Sequence, residues 1–150
     1  LRQGLLARPW LIKPNRQEAE ELLGTPLRRL AQITHAAQQL VARGIAVVII
    51  SLGSDGAVLA SQRADAVLWA KPPRVPVDSP VGAGDSLVAG FVIGWLRTHS
   101  LREALRLGVA CGAASAMTPG TELCHRADVM RLHRRITIRV ISPLSAFSRQ

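Results

Sequence analysis

The chain has 150 residues, 48% of them hydrophobic, with a formal net charge of +9. That length suits one domain with a real core, and the apolar share excludes a disordered chain. Two cysteines, Cys111 and Cys124, do not make a disulfide framework, and the four histidines include no metal spacing.

Trp10-Leu11-Ile12-Lys13 is a short apolar run stopped by Pro14, which predicts a buried strand ending there. Asn15 and Glu18 have the spacing of a capping box, so a helix follows to about Leu23 and Gly24 closes it. Leu30, Ile33, Ala37, Leu40 and Val41 share one face of a second helix over residues 30–43, closed by Gly44. Ile45 to Ile50 is a continuous apolar run, as expected of a strand buried on both faces. Strand, helix, strand in this order predicts a right-handed βαβ unit. The second strand delivers Ser51-Leu52-Gly53-Ser54-Asp55-Gly56 to the carboxyl end of the sheet, where ligands sit in such folds. The same residues also make a good turn. Residues 56–61 and 66–70 then read as a hairpin at the edge of the sheet, across Gln62-Arg63-Ala64-Asp65. Lys71-Pro72-Pro73-Arg74 is extended and cannot be a central strand.

The most informative stretch is Asp78-Ser79-Pro80-Val81-Gly82-Ala83-Gly84-Asp85-Ser86, which opens an apolar helix running to Arg97. A glycine-rich loop at a helix start is an anion site. The first N–H groups lack intrahelical partners, the dipole is positive there, and glycine lets an anion approach the backbone. A carboxylate at Asp85 would repel that anion unless it does chemistry, such as taking a proton from an attacking hydroxyl. Capping explains Asp85 and Ser86 equally well. The stretch is neither a Walker A loop nor a dinucleotide fingerprint, since Leu87 stands where a third glycine is needed.

Ser100 and Glu103 form a further capping box for a helix from Leu101 to about Met117. Its Gly108, Ala110, Gly112, Ala113, Ala114 and Ala116 suit close packing against a neighbouring helix or a flat ligand such as adenine. Thr118-Pro119-Gly120-Thr121 is a loop, residues 127–134 a short helix, and Ile136 to Ile141 alternates like a strand.

Three of these stretches resemble, in order, motifs of the PfkB (ribokinase-like) carbohydrate kinases. They are Lys13-Pro14-Asn15 with Glu18 and Glu21, Ser51 to Gly56, and Val81 to Ser86. The resemblance runs over residues 9–133 and is greatest to the sugar-phosphate branch. Gly120-Thr121-Glu122-Leu123-Cys124 is similar to the minor-type 6-phosphofructokinases. Trp10 to Arg16 and Ala70 to Pro73 are as similar to the 1-phosphofructokinases. It implies an α/β, ribokinase-like (Rossmann-like) αβα fold with a mostly parallel sheet. Residues 1–134 would be the C-terminal, nucleotide-binding part and 135–150 a divergent tail without assigned function. The first residues, with no initiator Met or signal-peptide layout, read as a chain already under way.

The implied activity is ATP-dependent phosphorylation of fructose 6-phosphate. Fructose 1-phosphate and tagatose 6-phosphate are the runners-up. Asp85 would be the base and Gly82, Ala83 and Gly84 with Asp85 the anion hole. Lys13, Asn15, Glu18, Ser51, Leu52, Gly53, Ser54, Asp55, Gly56, Gly84 and Ser115 would face ATP and its Mg²⁺. Ser79, Val81, Ser115, Thr118, Gly120 and Glu122 would wrap a monovalent cation such as K⁺. Glu122 departs from the basic residue of the family pattern. The sugar-binding half and its dimerising lid are expected to lie outside this chain, leaving it weak or inactive alone, with an open sheet edge inviting self-association.

Two other classes compete: a nucleotide-binding module without transfer chemistry, and a basic protein binding nucleic acid through residues 126–139. The basic residues are otherwise scattered and no tyrosine is present, so no stacking platform is evident. Without an apolar run of about 18 residues no membrane span is expected, and free thiols point to the cytoplasm.

Overall fold

The computed structural model describes residues 4–5, 7–64 and 66–143. Asp65 of the expected turn, part of the N-terminal stretch and residues 144–150 of the tail lie outside them. The chain divides into two compact units.

The first unit holds residues up to Leu52, Ala57–Trp69 and the chain from Arg139 onward. Its elements are β1 (Leu11–Ile12), α1 (Arg16–Leu23), α2 (Leu30–Ala42), β2 (Val47–Ser51), β3 (Ala57–Ser61), most of β4 (Ala66–Lys71) and most of β5 (Thr137–Pro143). The strands form one sheet in the order β1-β2-β3-β4-β5. β1 runs parallel to β2, with Leu11 opposite Val47 and Ile12 opposite Val48. This is the expected βαβ connection: a parallel partner needs a long crossover, which α1 and α2 supply. β3 returns antiparallel to β2, from Val47 opposite Ser61 to Ser51 opposite Ala57. Only a tight turn separates β2 from β3, too short for a crossover.

The sheet is therefore mixed. The expected hairpin is flanked rather than at the edge, because β5 lies beyond β4. The alternating residues 136–141 supply that outer strand, and the Arg139 guanidinium lies 6.0 Å from the centre of the Trp69 ring. β2 is buried along Val47, Val48, Ile49 and Ile50. Ile33, Ala37 and Leu40 of α2 pack with Val48 and Ile50, and with Val58 and Ala60 of β3. Each such side chain contributes about 1.5–3 kcal/mol of burial.

The second unit holds Gly53–Gly56 and Ala70–Ile138. It contains α3 (Ala83–Thr98), α4 (Leu101–Ser115) and α5 (Arg126–His133). α3 and α4 are joined through His99, in the left-handed conformation at φ 51°, and Ser100, whose hydroxyl caps α4 by accepting from Glu103 N–H. The small residues of α3 and α4 do what helix packing demands. A Cβ on Gly94 would stand 2.8 Å from Ala104 Cα, and one on Gly108 would stand 2.8 Å from the Leu87 carbonyl. Backbone meets backbone here, with Phe91, Leu105 and Ala110 filling the core alongside. α5 seats Val129 and Leu132 in the interior, and Arg106 donates from Nη1 to the Ile136 carbonyl at 3.3 Å. Among the described residues no helix is long and apolar enough to cross a membrane.

Candidate functional site

In the first unit the carboxyl ends of β1 and β2 gather Lys13, Asn15, Glu18 and Ser51. Pro14 ends β1, and its carbonyl accepts from Ser51 N–H at 3.0 Å, while Asn15 makes an isolated parallel bridge to Ser51. Lys13 Nζ lies 3.5 Å from Ser51 Oγ. Asn15 caps α1: its Oδ1 accepts from Glu18 N–H at 2.8 Å, and Glu18 Oε2 accepts from Asn15 N–H at 2.7 Å. Both halves of the capping box are thus formed. The arrangement closes on itself, leaving one Glu18 carboxylate oxygen and the half-buried Lys13 ammonium as the groups a ligand could use. Leu52 is buried, so only its backbone is available.

The segment that follows belongs to the second unit. Gly53–Asp55 form a single 3₁₀ turn, with Ser54 and Asp55 exposed. Asp55 pairs with Lys71 at 3.6 Å. Gly56 is at φ 85°, and a Cβ there would fall 1.9 Å from the Ala70 carbonyl. Glycine at this position is required by the chain's own backbone.

The glycine loop was expected to precede a helix from Leu87; the helix starts earlier, and Ala83 to Ser86 form the first turn of α3. Gly82 takes the N-cap place at φ 78° with no side-chain cap. Ser86 N–H reaches the Gly82 carbonyl at 2.9 Å and Ala83 N–H makes a long bond of 3.4 Å to the Pro80 carbonyl. Among the described residues no backbone acceptor serves the N–H groups of Gly84 or Asp85. Asp85, at the third helical position, is exposed. It makes no capping bond, since the Gly82 cap is bare. An uncapped helix start with free donors and a carboxylate beside them can hold an anion and accept a proton next to it.

The loop is held from behind by α4. The Ala116 carbonyl accepts from Asp78 N–H at 2.8 Å and Ser79 N–H at 3.3 Å. Ser79 Oγ accepts from Val81 N–H at 3.3 Å. A Cβ on Gly112 would stand 2.9 Å from the Ala83 carbonyl. A Cβ on Gly82 would be 3.9 Å from Ser115 Oγ, so Ser115 does lie beside the glycine loop. Ala116 and Gly112 were not assigned to the site from the sequence. Their signal was the small-residue spacing of α4, which reads as packing until its partner is known.

The expected cation-wrapping residues divide. Thr118 is buried, and its hydroxyl lies 2.8 Å from the Ser115 carbonyl and 3.0 Å from the Glu122 carbonyl. The Ser115 carbonyl also accepts from Thr118 N–H at 3.1 Å, while the single hydroxyl hydrogen serves one of the two carbonyls at a time. Gly120, at φ 57°, is exposed, as is Glu122. Among the described residues no group of three or more His, Cys, Asp or Glu could hold a metal ion.

The chain is similar to characterised proteins over most of its length. The model of the pfkB family of carbohydrate kinases matches residues 2–128. The 1-phosphofructokinase of Escherichia coli strain K12 is 38% identical over 135 residues, covering 90% of this chain and 43% of the relative. The ATP-dependent 6-phosphofructokinase isozyme 2 of Mycobacterium tuberculosis is 42% identical over 123 residues, covering 81% of this chain and 36% of the relative. The crystal structure of phosphofructokinase-2 from Escherichia coli in complex with substrates and products superposes with a TM-score of 0.82 at 32% identity, over 89% of this chain and 43% of that one. The chain thus spans less than half the length of the proteins it matches. The fold is the α/β, ribokinase-like one. By sequence match and by fold, the chain belongs to the pfkB family of carbohydrate kinases.

Proposed function

We propose that this chain is the nucleotide-side, C-terminal part of an ATP-dependent sugar-phosphate kinase whose acceptor is fructose 6-phosphate. The observation that supports it most is the start of α3: a bare Gly82 cap, unserved N–H groups at Gly84 and Asp85, and an exposed Asp85 carboxylate. In this reading the N–H groups of Gly82 to Asp85 steady the transferring phosphoryl. Asp85 takes the proton from the acceptor hydroxyl as the new P–O bond forms. Lys13, Asn15 and Glu18, and separately Ser51 to Gly56, are assigned to the nucleotide.

Mg²⁺, when bound with ATP, neutralises charge on the phosphates. The lack of an all-protein carboxylate cluster among the described residues fits that ion, which keeps most of its waters and takes phosphate oxygens with one or two carboxylates. Glu18, with one oxygen spare, is the carboxylate assigned to it. A monovalent cation is assigned to the main-chain oxygens of Ser79, Val81 and Gly120. The Ser115 and Glu122 carbonyls would have to be shared with Thr118.

The choice of acceptor follows the likeness of Gly120 to Cys124 to the minor-type 6-phosphofructokinases; overall identity does not separate the acceptors, at 42% to the 6-phosphofructokinase isozyme and 38% and 46% to two 1-phosphofructokinases. The test is calorimetry of ATP·Mg²⁺ binding to the chain and to Asp85→Ala. Comparable binding by both is expected, since Asp85 is assigned to chemistry rather than affinity. A folded chain that binds no ATP would overturn the nucleotide assignment. Loss of binding in Asp85→Ala alone would overturn the role given to Asp85.

A further inference from the structure

The run Gly112-Ala113-Ala114-Ser115-Ala116 ends α4 with a single polar side chain, the hydroxyl of Ser115. Ser115 is only 3% exposed. Its carbonyl accepts from Thr118, but among the described residues no hydrogen-bond partner serves its Oγ. The hydroxyl is not sealed in the interior either. Among the described residues the one sealed side-chain N or O atom without a partner is Arg106 Nε. The small opening at Ser115 therefore lies at its hydroxyl. That hydroxyl stands beside the start of α3: a Cβ on Gly82 would be 3.9 Å from Ser115 Oγ. Ser115 also sits between two ties from α4 to the glycine loop. Gly112 closes on the Ala83 carbonyl, and the Ala116 carbonyl holds the N–H groups of Asp78 and Ser79. Burying a hydroxyl without a partner costs stability that an alanine would not. Packing alone, with alanine at 113, 114 and 116, does not ask for this oxygen.

We propose that the Ser115 hydroxyl is a further donor of the anion site: it binds one oxygen of the phosphoryl group held at the start of α3, beside the N–H groups of Gly84 and Asp85. A hydroxyl rotates to aim its hydrogen, and a bond to a charged oxygen is of the stronger kind. A phosphoryl group presents three acceptor oxygens, enough for two N–H groups and one hydroxyl together. A carboxylate presents two, so the third donor favours phosphoryl over carboxylate ligands. The ties at Gly112 and Ala116 fix α4 against the loop, and so hold this donor in place before any ligand arrives. The proposal rests on the reading of the α3 start as a phosphoryl site and adds a side chain to it. The Ser115 carbonyl, placed above with a monovalent cation, is a separate atom that a change of side chain leaves intact.

The test follows the backbone amide resonances of Gly84 and Asp85 in the whole, isotope-labelled chain during titration with inorganic phosphate. Both should shift in the wild-type chain. Ser115→Ala should weaken phosphate binding by about tenfold or more, the loss expected for a hydrogen bond to a charged oxygen. Its urea midpoint should not fall, since the hydroxyl serves no partner in the free chain. Acetate, the two-oxygen probe, should bind both chains alike. Equal phosphate affinity in the two chains overturns the proposal and leaves the anion site standing. Gly84 and Asp85 amides that do not move in the wild type overturn the anion site, and the proposal with it. Weaker phosphate binding together with a lower urea midpoint makes Ser115 structural and overturns its role as a donor. An equal loss for acetate overturns the preference for phosphoryl groups. If Ser115→Ala does not fold, Ser115→Cys replaces it, since a thiol is a weak donor. Phosphate affinity in that variant equal to wild type overturns the proposal.

Discussion

Asn15 and Gly82 each open a helix, and they do so in opposite ways. At α1 the side chains of Asn15 and Glu18 serve each other's backbone N–H groups, and Pro14 and Ser51 join the strand ends. At α3 Gly82 offers no side chain, and the N–H groups of Gly84 and Asp85 have no backbone acceptor. Orphan donors at a helix start cost stability unless something serves them. In the function proposed above, the capping box at the first serves stability and the bare start of the second serves a ligand. The sequence around both looks alike, since each has an acidic residue at the third helical position, Glu18 or Asp85. The side chain at the cap separates them.

The comparison can be broken at its support. Gly112 lets the Ala83 carbonyl come close to α4, and an added Cβ would stand 2.9 Å from that oxygen. Gly112→Ala should therefore destabilise the chain by about 1–3 kcal/mol, the usual cost of overpacking, measured by urea unfolding. A neutral result would mean that α4 does not hold the glycine loop in place.

A smaller effect sharpens it. Asn15→Ala removes one half of a formed capping box and should cost ~1 kcal/mol. Asp85→Asn removes a carboxylate that caps nothing and should cost no more than about 0.5 kcal/mol, the residual helix-dipole contribution. Equal costs at the two positions would erase the distinction between a structural and a ligand-facing helix start.

The smallest effect is in alkali, behind the second region. Burial raises the Cys111 thiol from 9.0 to about 11 in the folded chain. The folded state therefore holds this proton more tightly than the unfolded state. Its contribution to stability is full below pH 9.0 and is lost as pH rises through about 11. The unfolding midpoint of the reduced chain should fall over that window more steeply than that of Cys111→Ala. Parallel profiles for the two would remove the assigned burial effect.

Much of this was legible beforehand because the signals are local. The Asn15–Glu18 box and the β2 run of Val47 to Ile50 need only neighbouring residues and formed as expected; at Ser100 only the hydroxyl half of the expected box formed, because the Glu103 carboxylate pairs with Arg106 and His133. Three short motifs in order placed the chain in its family, which the match over residues 2–128 bears out. The sheet was only partly legible. Residues 136–141 read as a strand, but a period of two does not say which neighbour a strand will choose, so the covering of β4 by β5 was missed. The start of α3 was placed too late, since glycines at 82 and 84 read as loop while only Gly82 is outside the helix.

Composition, periodicity and spacing thus determined most of the elements and the buried strand, because those properties belong to a few adjacent residues. The tertiary structure decided what the small residues of α4 are for. Gly108 and Gly112 meet the Leu87 and Ala83 carbonyls, and Ala116 holds Asp78 and Ser79, all across gaps in sequence. Close approach depends on where two backbones run, and a side-chain pattern on one helix does not contain the position of its partner.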